Sequence, residues 1–456
     1  MPWLPAELIN LVVTHVDDGY GNRGTLASCA LAAQVFRHPA QQQLYRHLYI
    51  DNYWSGPRRS PATVAAHFAA FPHLARLVTS VALSLAFDTY SQTLERRLDS
   101  VRPLRSLLKQ LTNVSVVSVW SVDAVVDQLQ WSSSGKDFTN AIEELIQDLV
   151  SSSTLRQLEF SDFRDIPHTF INRMLTACPT VSILGLSVVH NDDTSPLDQA
   201  DLMPSIAIER LKIGIIDISN PIMFKLVLPH VTSLRTLVLT MAGFSWHAEV
   251  AQSKVYELCL AVSKTLKYLS LKLPAPEKDH AITSFSIPPL PHLQYLQIGF
   301  ENYPNGDTAM FAPPPRLLTI LADLLVGGNL PSLSELWLRP DLPLSGWHKI
   351  TSDTFAFPTG SSTPASLKTL DDLLKGCSAA VYCVPRFYPS HSYARKSKRA
   401  MDRLDDKEHA YVFSAYVHAL RASLPTATAL GLKIIDYQLG EEWKNYEVDF
   451  LDIGDP

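Results

Sequence analysis

Gly19-Tyr-Gly21-Asn-Arg-Gly24 has the spacing of a dinucleotide fingerprint, in which glycines let a turn approach a pyrophosphate at a helix N-terminus. Leu8 to Val16 could be drawn as the strand before it, and Asp51, after the apolar Tyr45 to Ile50 stretch, as the ribose-binding acid. Three points oppose this. Asp17 and Asp18 would stand beside a pyrophosphate that they repel. Pro5 and the apolar stripe after it favour a helix, and the rest of the chain shows repeats instead of two mononucleotide-binding halves. Other chemistry is equally sparse. There is no His-Glu-x-x-His pair, no Gly-Lys-Ser/Thr phosphate loop and no Gly-x-Ser-x-Gly elbow. His168, His230 and His292 each follow a proline and suit turns or surface packing, while Asp371-Asp372 and Glu441-Glu442 read as solvated pairs. Of the five cysteines the nearest pair, Cys377 and Cys383, does not make a metal knuckle. The expectation is a protein with no catalytic residues, no cofactor and no metal.

The elements that would position any site come from composition and periodicity. The 456 residues can hold two or three domains, or one small domain and a repeat array. With 46% hydrophobic and 18% charged residues, most of the chain should fold. A net charge of -6 opposes nucleic-acid binding. The basic cluster Arg395, Lys396, Lys398, Arg399 and Arg403 reads as a solvated helix face or a nuclear-import signal. No basic segment precedes an apolar one near Met1, so no signal peptide is expected. No stretch approaches the ~20 apolar residues of a membrane span. With unpaired thiols, this points to the cytoplasm and/or nucleus.

A six-residue pattern with apolar positions one, four and six recurs along the chain. It reads Leu155 to Phe160, Val181 to Leu186, Ile208 to Ile213, Leu234 to Leu239, Leu266 to Leu271, Leu293 to Ile298 and Leu333 to Leu338. The first residues lie 26, 27, 26, 32, 27 and 40 apart. Each unit supplies one short strand whose fourth and sixth side chains enter a core that only stacked neighbours can complete. Weaker copies are Val78 to Leu83, a strand within Leu111 to Trp120, Ala379 to Val384 and Ala427 to Leu432. Short helices ending in proline precede several strands, as in Phe170 to Ala177 before Cys178-Pro179 and Phe224 to Leu228 before Pro229. Pro274 to Pro291, Pro304 to Pro315 and Pro340 to Pro364 read as loop inserts.

This plan of helix, proline turn, strand and loop resembles the leucine-rich repeat family, without the asparagine that usually follows the strand. The fold expected is an α/β solenoid over residues 74–440, after a linker and first helix at 51–73, with a tail at 441–456.

Residues 1–50 have a different period. Leu4-Pro5-Ala6-Glu7-Leu8-Ile9 opens a helix with the stripe Leu8, Val12 and Val16, flanked by Ile9 and Val13, and Asp17-Asp18-Gly19 ends it. Thr25 is placed to cap a second helix bearing Leu26, Cys29, Ala30 and Ala33, flanked by Leu31 and Phe36, and Pro39 to open a third containing Leu44 and Tyr45. The Leu4-Pro5 start, the Val12-Val13 pair, the Leu26 to Phe36 middle and the Leu44-Tyr45-Arg46 end resemble the F-box, in the form carried by mushroom-forming fungi. Phe36 stands where the family usually has tryptophan, and the Gly19 to Gly24 loop is longer than usual.

The resemblance implies a substrate-recognition subunit of an SCF-type cullin–RING ubiquitin ligase, whose partners are a Skp-type adaptor with its cullin and a protein client. It carries adaptor contacts over to Leu4, Pro5, Leu8, Ile9, Val12, Val13, Leu26 and Phe36. The alternative is an interaction scaffold with no ubiquitin role, its first helices only closing the solenoid. The client is not encoded in any motif. The strands' outward side chains, among them Arg156, Gln157, Lys212, Arg235, Lys267 and Gln294, form a polar surface; the tryptophans read as core or rim residues, with Trp337, in the outward fifth place of its strand, a candidate partner contact.

Overall fold

The computed structural model describes residues 5–16, 23–51, 61–86, 103–122, 129–130, 140–141, 143–145, 147–148, 154–186, 207–240, 248–273, 286–301, 315–326, 328–344, 365–389 and 406–436. Gly19, Gly21, Leu4, the basic cluster at 395–403 and the tail at 441–456 lie outside these residues. The chain divides into two compact units, Met1–Ile208 with Lys225–His230, and Glu209–Phe224 with Val231–Pro456.

The first unit begins with α1 (Ala6–Val16), α2 (Arg23–Ala32) and α3 (Gln34–Arg46). In α1, Ile9 and Val13 are four residues apart and both are buried. Val13 joins Leu26 and Ala40 in a small core against which Cys29, Ala30, Phe36 and Leu44 pack. Two capping expectations change. Thr25 lies inside the first turn of α2, which starts at Arg23. Pro39 lies inside α3, which starts at Gln34. Pro39 has no N–H to give to the helix ladder, and its neighbour Ala40 is buried in the bundle core.

The strands of this unit are β1 (His47–Asp51), β2 (Ser80–Ala86), β3 (Val116–Val122), β4 (Leu129–Gln130), β5 (Gln157–Ser161), β6 (Phe163–Arg164) and β7 (Thr180–Leu184). β1, β2, β3, β5 and β7 pair in that order, all parallel, while β4 pairs β6 separately. One inward row is Leu48, Val81, Val117, Leu158 and Val181; the next is Ile50, Leu83, Val119, Phe160 and Ile183. Phe160 stacks on Phe163 at 4.3 Å and meets Phe170 edge-on, filling the space below β5 with rings.

The second unit holds β8 (Arg210–Gly214), β9 (Thr236–Thr240), β10 (Tyr268–Leu273), β11 (Tyr295–Glu301), β12 (Glu335–Leu344), β13 (Ala380–Cys383), β14 (Arg386–Pro389) and β15 (Lys433–Ile434). The order β8-β9-β10-β11-β12-β13-β15 is again parallel throughout and follows the chain, with β14 pairing the far half of β12. Leu211, Leu237, Leu269, Leu296 and Leu336 form one inward row, each with no exposed surface. Helices Ala248–Val262, Pro315–Val326 and Ala365–Lys375 alternate with these strands. The protein is therefore α/β with parallel strand pairing.

One backbone device repeats in both units. The carbonyl at position two of a unit accepts two consecutive N–H groups from the next. Thr79 receives Ser115 and Val116, Glu209 receives Arg235 and Thr236, Lys267 receives Gln294 and Tyr295, and Gln294 receives Ser334 and Glu335, at 2.8–3.2 Å. A tight turn precedes several of the strands. Leu293 N–H donates to Leu290 O (3.1 Å) across Pro291, and Leu333 N–H to Leu330 O (3.2 Å) across Pro331. Proline suits the second place of such a turn because its φ is already set.

Three repeat assignments need correction. Leu158 pairs with Val181, not with Leu184, so the frame of the β7 unit is Cys178, Val181 and Ile183. Gly185 has φ 63°, which ends the strand before Leu186. At 427–432 the pattern belongs to helix Pro425–Ala429 and a turn at Gly431 (φ 96°), with Leu430 exposed and the strand starting at Lys433. Pro340 to Leu344 extends β12 instead of leaving it as a loop.

Candidate interaction surfaces

Two surfaces stand out, one in each unit. The first is on α1. Because Ile9 and Val13 turn inward, Leu8, Leu11 and Val12 turn outward, with 46%, 53% and 53% of their surfaces exposed. They are spaced i, i+3 and i+4 and so make one stripe. Leu31 at the end of α2 and Val35 at the start of α3 are exposed as well. Thr14 at the far end of α1 accepts a hydrogen bond from Gln43 Nε2 of α3 at 3.2 Å, fixing the helix against its neighbour.

The residues expected to contact an adaptor are thus divided. Leu8 and Val12 lie on the open stripe, and Pro5 is exposed at its start. Ile9, Val13 and Leu26 are enclosed by the bundle, because the apolar side of a three-helix core needs them, and Phe36 packs half-buried against it. Leu11 and Val35, which the sequence pattern did not single out, are exposed as well. The helical period marks Leu11 as the partner of Leu8, but sequence alone does not say which apolar stripe of α1 faces inward.

The second surface is the outward face of the β8–β15 sheet. Its central row is Lys212, Val238, Ser270, Gln297, Trp337, Tyr382 and Lys433, in which Val238, Ser270 and Gln297 are buried and only the two ends reach solvent. Trp337 stacks on Tyr382 with centroids 4.2 Å apart and planes 8° apart. Lys433 Nζ lies 5.0 Å from the Tyr382 ring centre, close enough for attraction to the ring face. The Trp337 indole N–H donates to Glu335 Oε2 at 2.8 Å. Beside them, Tyr268 hydroxyl donates to Gln297 Oε1 (3.0 Å) and Gln297 Nε2 to Ser270 Oγ (3.2 Å). These bonds hold the polar side chains in single orientations. The sequence pointed to Trp337 but not to Tyr382 or Lys433, whose strands are too short to show a period.

Other chemistry-bearing groups are placed in structural roles. Asp371, expected in solvent, is buried and accepts the N–H groups of Thr426 (3.1 Å) and Ala427 (2.8 Å) at the start of helix Pro425–Ala429. His230 is buried, with Nε2 against Asn172 Oδ1 at 3.1 Å, and burial pushes its pKa down. His292 is exposed and His168 half-buried. Burial pushes Cys178, Cys259 and Cys383 up to about 12, which leaves them inert as nucleophiles. Among the described residues no group of His, Cys, Asp and Glu could hold a metal. A cavity of about 30 Å³ between Leu338, Leu367, Leu370, Cys383 and Tyr416 has room for one water and no substrate. No helix of the described residues is long and apolar enough to cross a membrane.

No protein-family model matches the chain, and no curated protein matches it.

Proposed function

We propose that the chain is a non-catalytic recognition subunit of an SCF-type ubiquitin ligase. In this reading α1–α3 are an F-box that binds a Skp-type adaptor. The strands are an irregular leucine-rich-repeat solenoid that holds a protein client in the cytoplasm or nucleus. Function would come from proximity, since a docked client meets the ligase at high effective concentration. The observation that carries it is the open Leu8–Leu11–Val12 stripe. A bundle that merely closed one end of a solenoid would turn polar residues outward there.

Capture of a purified Skp-type adaptor by the full chain tests this. Leu8→Asp places a charge on the exposed stripe, leaves the bundle core untouched, and should abolish capture. Burying that unpaired charge at an apolar interface costs about 3 kcal/mol or more. Ile9→Asp is the contrasting variant, expected to unfold α1 because Ile9 is 4% exposed. Full capture by Leu8→Asp would refute the adaptor assignment.

A plain interaction scaffold is the second reading. It is favoured by the direct run of α3 into β1, with Thr79 N–H donating to Arg46 O at 3.0 Å, which suits a solenoid cap. Wild-type protein that folds but captures no adaptor would support it.

A further inference from the structure

We draw no further inference here: the strongest candidate, the open groove of about 450 Å³ where helices Pro61–Ala70 and Pro72–Ala75 meet residues 109–112, lined by Arg76 and Lys109, carries nothing, because Lys109 already has Asp148 Oδ2 at 3.9 Å and the exposed Arg76 does not by itself show what would fill it.

Discussion

Asp371 gives the most quantitative test of the fold. Its two carboxyl oxygens accept from Thr426 and Ala427 at 3.1 and 2.8 Å, and the residue is only 6% exposed. Asp371→Ala leaves both N–H groups without a partner where water reaches poorly. An unsatisfied buried donor costs about 1–3 kcal/mol, so the pair costs about 3 kcal/mol, allowing for partial rehydration. Asp371→Asn keeps one acceptor and turns an amide N–H toward the other donor, so about half of that loss is expected. The helix these groups cap packs through Leu424, Ala427 and Leu432, all buried, just before β15. Hydrogen exchange resolved by residue is the right assay, because a two-unit chain does not give a single unfolding free energy. A loss of about 3 kcal/mol corresponds to roughly 150-fold faster exchange of the amides of Ala427 and Leu432. Asp372→Ala, on the exposed neighbour, should change nothing. Exchange in Asp371→Ala within about threefold of wild type would show that the cap does not hold this segment.

Two further outcomes follow from buried ionisable groups. The folded pKa of His230 lies below its ordinary 6.5 because burial penalises the charged ring. Stability is therefore fully present above pH 6.5 and falls as pH drops through the folded value; His230→Gln should flatten this slope in urea midpoints between pH 7 and about pH 5. A wild-type protein as stable at the acid end as at pH 7 would contradict the buried placement. Alkylation of the native protein with iodoacetamide at about pH 8 should spare Cys178, Cys259 and Cys383, since groups with a pKa of about 12 are thiolate in only ~10⁻⁴ of molecules there. The half-buried Cys29 and Cys377 should label first, and early label on Cys259 in peptide mass spectra would refute that order.

The strands were legible because parallel pairing buries two alternating positions completely, and nature fills them with Leu, Ile, Val and Phe. The frame was less legible. Around β7 both Val181-Leu184-Leu186 and Cys178-Val181-Ile183 satisfy the pattern, and only the pairing of Leu158 with Val181 chooses between them. The shift changes the two intervals there from 26 and 27 to 23 and 30 without changing their sum, so the apparent regularity concealed it. β1 was hidden because it continues α3 without a turn residue to mark the boundary. The role of Asp371 was unreadable, since its partners lie 55 and 56 residues away. On α1 the period gave two adjacent apolar stripes. Packing against Leu26 and Ala40, which no local pattern encodes, decided that Val13 goes in and Val12 stays out.

The passage from helix to strand at Arg46–His47 has a mechanical consequence. α3 ends at Arg46 and β1 begins at the next residue, while the Arg46 carbonyl is tied to Thr79 N–H just ahead of β2. A joint of that kind has no spacer to absorb rotation. Torque applied to α1 passes through the α1–α3 bundle into the first strands as through a welded bracket. Whatever grips the Leu8 stripe therefore acquires a fixed bearing on β1 and β2.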